Sequence, residues 1–377
     1  MNNLLTIPPL SLYIHYPWCL KKCPYCDFNS HEGEVKTGYI NALIEDLEGD
    51  LKYVQNRAIE SIFIGGGTPS LMSTEDANDL IDGLKERLAF SDNVEITMEV
   101  NPGTFEVEKF AEFRNIGINR LSIGVQSFED RQLKFLGRVH SSNEAINAIT
   151  EAQRVGFKNL NIDLMYGLNG QSIDMCIEDL NKAIELNPSH ISFYQLTLEP
   201  NTLFSKFPPR LPSEEVIWEM GEKGANLLNK KGFRQYEVSA YSTTPSIHNL
   251  NYWTFGDYIG IGAGAHGKIT DMNTHQIFRT LKLKSPNEYL LSFKKNKKTS
   301  RKKMVDSLSF EFMLNGLRLI DGFDSGLYES RTGLSIESVR SQIIKAEKLN
   351  LLDTRDNWIK PTKSGYSFLN ELQEIFL

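Results

Sequence analysis

The sequence predicts an α/β protein: a partial (β/α)6 barrel followed by a small winged-helix-like α+β domain. Three observations predict it. Between residues 11 and 200, six short runs rich in β-branched and aromatic residues alternate with helically spaced segments, the pattern of parallel βαβ units. Residues suited to binding fall just after those runs, where ligands gather in barrels and open parallel sheets. Beyond the repeat, helical segments flank a short two-strand signal.

The strand-like runs are 12–15, 61–64, 94–100, 120–125, 160–165 and 190–196. They read as near-continuous apolar runs, which predicts a sheet covered on both faces. Helical spacing places helices at 36–55, 74–89, 105–115, 129–136 with 142–155, and 172–187. Three regions follow: 1–200 as the partial barrel, 201–283 as a barrel-closing extension, and 284–377 as the winged-helix-like domain. In the last, helices are expected at 308–319, 336–349 and 362–376, with a wing formed by 351–353 and 358–361. The basic run between 284 and 304 reads as solvated surface or as a contact for an anionic partner or membrane.

Composition narrows the function. The 377 residues carry a net charge of −7, so no global basic field points to nucleic acid. No stretch of about 18 apolar residues occurs and the N-terminus lacks a basic, then apolar, signal, so a cytoplasmic, non-spanning protein is expected. Three of the four cysteines fall within eight residues, unlike the spread cysteines of a disulfide scaffold. The fourth, Cys176, lies on a predicted helix and is expected to be buried.

Those three thiols form Cys19-x3-Cys23-x2-Cys26. Three thiolates can hold three irons of a [4Fe–4S] cubane and leave the fourth iron open. Zinc is the competing reading, although a structural zinc site usually has four ligands in paired spacings, and a Cys23/Cys26 redox pair is a third. After the second run, Gly65-Gly66-Gly67-Thr68-Pro69 lets backbone approach a ligand closely. It lacks both the Lys-[Ser/Thr] of a P-loop and the G-x-G-x-x-G of a dinucleotide fold. The third run carries Glu99, either an acceptor for ribose hydroxyls or a solvated carboxylate. Gln126, Arg138 and Asp163 follow later runs and singly are weak signals.

Taken together, the cysteine loop with Tyr25 before its third cysteine, the Gly65–Pro69 segment and the (β/α) repeat resemble the radical S-adenosylmethionine (SAM) superfamily. Glu99 with Asn101-Pro102, the run from Arg120 to Ser127 and Asp163-Leu164-Met165-Tyr166-Gly167-Leu168 resemble its coproporphyrinogen III oxidase-like branch. The resemblance implies a TIM-like partial barrel, a [4Fe–4S] cluster on Cys19, Cys23 and Cys26, and SAM chelating the open iron. It further implies Tyr13 and Tyr25 beside cluster and SAM, and Gly66, Gly67 and Thr68 at the methionyl amino end. Glu99, Gln126, Arg138 and Asp163 would meet the ribose, carboxylate and neighbouring polar groups of SAM.

Two departures turn the reading away from the oxidase. The branch's oxidase has a further cysteine two positions after the third cluster cysteine, where this chain has Phe28, and it has a longer segment ahead of the cluster. Further on, His248-Asn249-Leu250-Asn251-Tyr252-Trp253 resembles the heme-binding signature of the heme chaperones of this branch. That implies heme contacts from His248, Asn249, Tyr252 and Trp253, and delivery of heme to acceptor proteins such as membrane-bound respiratory enzymes. On the residues alone, His248 is also readable as a satisfied histidine in a polar turn. The alternative function is a radical SAM enzyme acting on a tetrapyrrole, by coproporphyrinogen decarboxylation or heme opening. The glycine-rich stretch 256–267 is either a lid over SAM or close packing, and His266 is a weak further ligand candidate. A homodimer is compatible with the sequence.

Overall fold

The computed structural model describes residues 4–103, 107–295 and 300–377. Six parallel strands lie side by side in chain order: β1 (Leu10–Tyr16), β2 (Ile59–Gly66), β3 (Phe90–Val100), β4 (Arg120–Gln126), β5 (Asn159–Tyr166) and β6 (His190–Gln195). Between them run α1 (Tyr39–Asp50), α2 (Thr74–Lys85), α3 (Phe110–Ile116), α4 (Asp130–Phe135), α5 (Ser142–Arg154) and α6 (Ile173–Glu185). Local chemistry sets their starts. Ser73 and Ser172 cap α2 and α6 by accepting from backbone N–H groups, and Ser141 with Glu144 forms a capping box at α5. Part of the helix expected at 105–115 falls on residues outside those described.

All six runs become strands, but their two faces differ. Ile62, Ile64, Met98, Leu121, Ile123, Leu160 and Ile162 enter the apolar core beneath the helices. The alternate positions are polar: Ser61, Glu95, Thr97, Ser122, Asn161, Asp163 and Ser192 point to the other, concave face, where they bond one another and the ends of neighbouring segments. The expectation of strands apolar on both faces is therefore corrected. The concave side encloses polar space, so period-2 alternation applies even though the sheet is parallel.

The sheet extends past both ends of this repeat. Strand β8 (Ala240–Ser242) pairs antiparallel with β6 and with β7 (Arg234–Gln235). At the opposite side β9 (Asp257–Ile261) runs parallel to β1, followed antiparallel by β10 (His266–Asp271), β11 (Gln276–Lys282) and β12 (Ser300–Met304). The twelve strands form one open sheet in the order β12-β11-β10-β9-β1-β2-β3-β4-β5-β6-β8-β7. Helices α7 (Leu203–Lys206) and α8 (Glu214–Lys230) precede β7, and α9 (Ile247–Trp253) links β8 to β9.

Buried ion pairs fasten the added strands. Lys282 on β11 donates to Asp46 (2.6 Å) and Asp50 (2.7 Å) on α1. Asp257 on β9 accepts from Arg57 (2.8 Å) and Lys268 (3.0 Å). Helix α10 (Pro286–Lys294) packs on α1 with Tyr289 fully buried in the first core. The expected boundary at 284 thus falls inside the sheet body. In the basic run, 296–299 lie outside the described residues, while Arg301, Lys302 and Lys303 stand exposed on β12, where charge discourages edge pairing.

A second core gathers Phe312, Phe323, Tyr328, Ile343, Leu352 and Ile359. It joins α11 (Leu308–Gly316), α12 (Ser325–Thr332) and α13 (Arg340–Lys348) to a three-stranded sheet of β13 (Phe323–Asp324), β14 (Leu352–Arg355) and β15 (Trp358–Pro361). The winged-helix-like α+β arrangement is present. Helix α12 was not expected, and the expected helix at 362–376 is split at Phe368 into Lys363–Ser367 and Leu369–Glu374.

Candidate functional site

The loop after β1 is pinned to the strand end beside it. Trp18–Cys19 pairs with His31–Glu32 as a short parallel ribbon, and Cys26 N–H donates to Cys23 O (3.1 Å). Gly67 N–H donates to Tyr16 O (2.8 Å) and Thr68 N–H to Trp18 O (2.7 Å). A Cβ at Gly67 would lie 2.5 Å from Trp18 O, and one at Gly66, whose φ is +115°, 2.6 Å from His15 Cε1. Glycine is needed at both because backbone approaches backbone and ring here. From the far side, Asn29 Nδ2 donates to Ala263 O and to Lys284 O, both at 2.9 Å, and His15 Nε2 bonds Asn29 O (2.9 Å).

Cys19, Cys23 and Cys26 are free thiols on one wall of a cavity of about 540 Å³ at the carboxyl ends of β2 to β6. Burial raises the Cys19 and Cys26 thiols above their ordinary range; Ser30, whose hydroxyl is 3.7 Å from Cys26 Sγ, acts against this. The same cavity is lined by Tyr25, Gly66, Gly67, Thr68, Glu99, Gln126, Arg138 and Asp163, so the structure brings eight of the nine sequence-selected SAM residues to one space. The ninth, Tyr13, lies elsewhere. Its hydroxyl bonds His15 Nδ1 (2.9 Å) and it lines a second, adjoining cavity.

Arg138 organises the main cavity. Its Nη2 donates to Asn101 Oδ1 (2.6 Å) and Gly124 O (2.7 Å), and its Nη1 lies 3.8 Å from Cys23 Sγ. Asn101 Nδ2 in turn donates to Thr68 Oγ1 (3.0 Å). Gln126 adopts a left-handed backbone conformation (φ 70°) at an irregularity in the β4–β5 ladder, and its Oε1 accepts from Tyr194 OH (2.7 Å). Such strain persists only where surroundings over-determine it.

Two carboxylates face the space. Glu99 Oε2 accepts from Gly66 N–H (3.0 Å), yet burial, with Asp163 adding to it, pushes its carboxyl up to about 7. Asp163 is also raised by burial, against hydrogen bonds that include those from Asn161 (2.8 Å) and Ser122 (3.2 Å). The chemistry of this donor set fits the groups the sequence implied. Thiols suit iron, glycine backbone admits close contact, and two carboxyl groups with one guanidinium suit a cationic ligand bearing hydroxyl and carboxylate groups. Sequence reasoning missed Tyr194 and Asn29. The inward polar alternation of β6 would have pointed to Tyr194, whereas nothing local marks Asn29.

The motif 248–253 forms α9, which enters the concave side below this cavity. Glu95 receives its N-terminus, accepting from Ser246 Oγ (2.8 Å) and His248 N–H (3.1 Å). His248 is 2% exposed; its Nδ1 bonds Ser61 Oγ (2.9 Å), its ring stacks on Phe63 at 5.1 Å, and its Nε2 has no hydrogen-bond partner among the described residues. Burial, aided by the charge of Arg120, drives its imidazole down to about 3. Asn249 lines the main cavity and Tyr252 the second one, while Trp253 lies under the Arg318 guanidinium at 4.3 Å. The structure does not bring the four motif residues to one opening. Of the glycine stretch, Gly262 (φ +102°) would set a Cβ 2.4 Å from His15 O and Gly260 one 1.8 Å from His266 O, so this segment is close-packed chain and not a lid.

This fold and cavity define a radical SAM protein: the Radical SAM superfamily model matches residues 13–183, and the HemN C-terminal domain model matches 306–368. The chain is 45% identical to Heme chaperone HemW of Escherichia coli, covering 99% of this chain and 100% of that protein, and 32% identical to Heme chaperone HemW of Bacillus subtilis, covering 97% and 99%. It belongs to the HemW heme chaperone family. Among solved structures, coproporphyrinogen III oxidase (HemN) from Escherichia coli superposes with a TM-score of 0.83 at 21% identity, over 98% of this chain and 90% of that one, which speaks to the fold. Membership in the radical SAM superfamily implies a [4Fe–4S] cluster and SAM as cofactors. Among the described residues no helix is long and apolar enough to cross a membrane.

Proposed function

We propose that Cys19, Cys23 and Cys26 hold the cluster, that SAM lies against the ends of β2 to β5, and that the protein binds heme and hands it to acceptor proteins. The observation carrying this reading is three thiols on one cavity wall with Phe28 where the oxidase has a further cysteine, and with Cys176 buried on α6. When bound, the cluster supplies an electron and an open coordination site for the amino and carboxylate groups of SAM.

The chain's own residues do the rest. Gly66, Gly67 and Thr68 offer backbone polar groups to the methionyl end. Arg138 steadies Cys23 and presents its guanidinium toward carboxylate, and Glu99 and Asp163 accept from ribose hydroxyls, with Gln126 beside them. The relatives named heme chaperone support heme as cargo, and acceptors of the membrane-bound respiratory class reached from the cytoplasm fit that role.

Anaerobic reconstitution followed by iron, sulfide and heme titration tests the reading. It expects about four irons and four sulfides per chain for a single cubane, loss of both in Cys23→Ser, and a Soret shift when heme is added. Consumption of coproporphyrinogen with matching release of 5′-deoxyadenosine would instead support an enzyme of porphyrin synthesis. Zinc alone in the reconstituted protein would refute the cluster.

A further inference from the structure

Gln126 is the last residue of β4, and its backbone lies in the left-handed region at φ 70°. Among the described residues it is the one non-glycine residue with such a backbone inside a strand; the others lie between elements. The β4–β5 ladder passes from the pair Ile123–Ile162 to the pair Gln126–Leu164, so β4 carries one residue more than its neighbour here. An extra residue of this kind bends the strand and re-aims a side chain. Gln126 lines the main cavity, and Tyr194 OH donates to its Oε1 (2.7 Å).

A left-handed glutamine is costly and persists only where its surroundings hold it. Tyr194 is one hold, on the side chain. The other acts on the backbone and comes from outside the cavity. Asp179, buried on α6, reaches across to the exit of β4: its Oδ2 accepts from Ser127 Oγ (2.7 Å) and its Oδ1 from Phe128 N–H (2.7 Å). One carboxylate thus grips both residues that follow Gln126, and Ser127 and Phe128 are themselves buried.

The grip extends along the loop. Ser127 Oγ accepts from Glu129 N–H (3.1 Å), and Glu129 Oε2 caps α4 by accepting from Gln132 N–H (2.8 Å). Beyond α4, Arg138 N–H donates to Leu133 O (2.9 Å), and its guanidinium returns to Gly124 O (2.7 Å). The segment from Gly124 to Arg138 is therefore a closed loop, and Asp179 fastens it to α6. Burial pushes the Asp179 carboxyl up to about 6, against the bonds from Ser127 and Phe128. A neutral side chain would tie helix to loop at less cost, whereas an ionised one makes shorter and stronger bonds. Asp179 lines neither cavity.

We propose that Asp179 is a positioning residue for SAM: by gripping Ser127 and Phe128 it holds Gln126 in the backbone conformation that aims its carboxamide at the ligand. This rests on the placement of SAM given above. Asp179 touches no ligand and exchanges no proton; its effect on binding passes through Gln126.

The test measures SAM affinity by equilibrium dialysis on the full-length, cluster-reconstituted protein, together with iron content and the urea midpoint. Gln126→Ala should weaken SAM binding about tenfold, and Asp179→Ala by a similar factor, with iron content unchanged in both. Because the two act on one contact, the double variant Gln126→Ala/Asp179→Ala should bind as Gln126→Ala does. Asp179→Asn keeps an acceptor for Phe128 and a partner for Ser127, so its affinity should return to within about threefold of wild type. Ser127→Ala leaves the Phe128 bond and should fall between wild type and Asp179→Ala; it takes that variant's place, alone and in the double, if Asp179→Ala does not fold. Asn119 ties β4 to β3 at the amino end, donating to Val94 O (2.7 Å) and accepting from Ile96 N–H (2.9 Å). Asn119→Ala should lower the urea midpoint and leave SAM affinity unchanged. Wild-type affinity in Asp179→Ala and Ser127→Ala overturns the proposal, and so do losses that multiply in the double variant. Wild-type affinity in Gln126→Ala instead refutes the placement of SAM beside Gln126, and the proposal falls with it.

Discussion

Replacing Glu99 by glutamine isolates the electrostatic cost of the main cavity. The carboxyl is raised from 4.5 to about 7, first by burial and then by Asp163, against one bond from Gly66 N–H. For a raised carboxyl, folding is favoured while both states are protonated, below about pH 4.5. That advantage drains as the unfolded chain ionises and is gone once pH passes about 7. The shift corresponds to about 3 kcal/mol as an upper bound, since the cavity side of the carboxyl keeps water. Glutamine retains an acceptor for Gly66 and cannot ionise. Urea unfolding of metal-free protein from about pH 4 to 8 should show Glu99→Gln and wild type alike at the acid end. At pH 8 the variant should be more stable by about 2 kcal/mol. Parallel stability curves across this range would refute the assignment of that cost to Glu99.

Four further outcomes follow from the geometry. Asp257→Asn leaves Arg57 and Lys268 buried without a counter-charge and should cost about 3–5 kcal/mol in chemical denaturation; a loss below about 1 kcal/mol would contradict this. Gly67→Ala drives a Cβ against the Trp18 carbonyl, so about 1–3 kcal/mol of stability and much of the retained iron should go. Gly49→Ala, on α1 with open space around it, should gain about 0.5–1 kcal/mol and keep its iron. Arg138→Lys cannot reach Asn101, Gly124 and Cys23 together and should lose about 1–3 kcal/mol, read by denaturation of metal-free protein.

The six parallel strands were legible because β-branched and aromatic runs alternate with helically spaced segments, and several of them exit on glycine, asparagine or a cysteine loop. Their two-faced character was not, since Ser61, Asn161 and Ser192 read singly as tolerated polar residues and only the register shows them sharing one surface. The expected boundary at 284 falls inside the sheet body because the lysines that follow it read as solvated surface, although Tyr289 and Lys282 anchor their neighbours in the first core. Helix α12 lacks an apolar stripe and owes its start to the Asp324 cap. The cysteine loop and glycine segment were legible as contiguous motifs. Asn29 and Tyr194 were not, because their partners lie 234 and 68 residues away.

Helix α9 has one more consequence. The sheet does not close, and the chain passes from the β8 side to the β9 side through the segment that carries this helix. That segment is a tether between two lips of an incomplete cylinder. Spreading the lips draws on α9, and the groups that resist are the Glu95 grip on its first turn, the His248–Ser61 bond and the Asn251 bond to Asp257 O (2.8 Å). The aperture of the barrel and the surroundings of His248 are one mechanical coordinate, so a ligand that widens the mouth changes the floor as well.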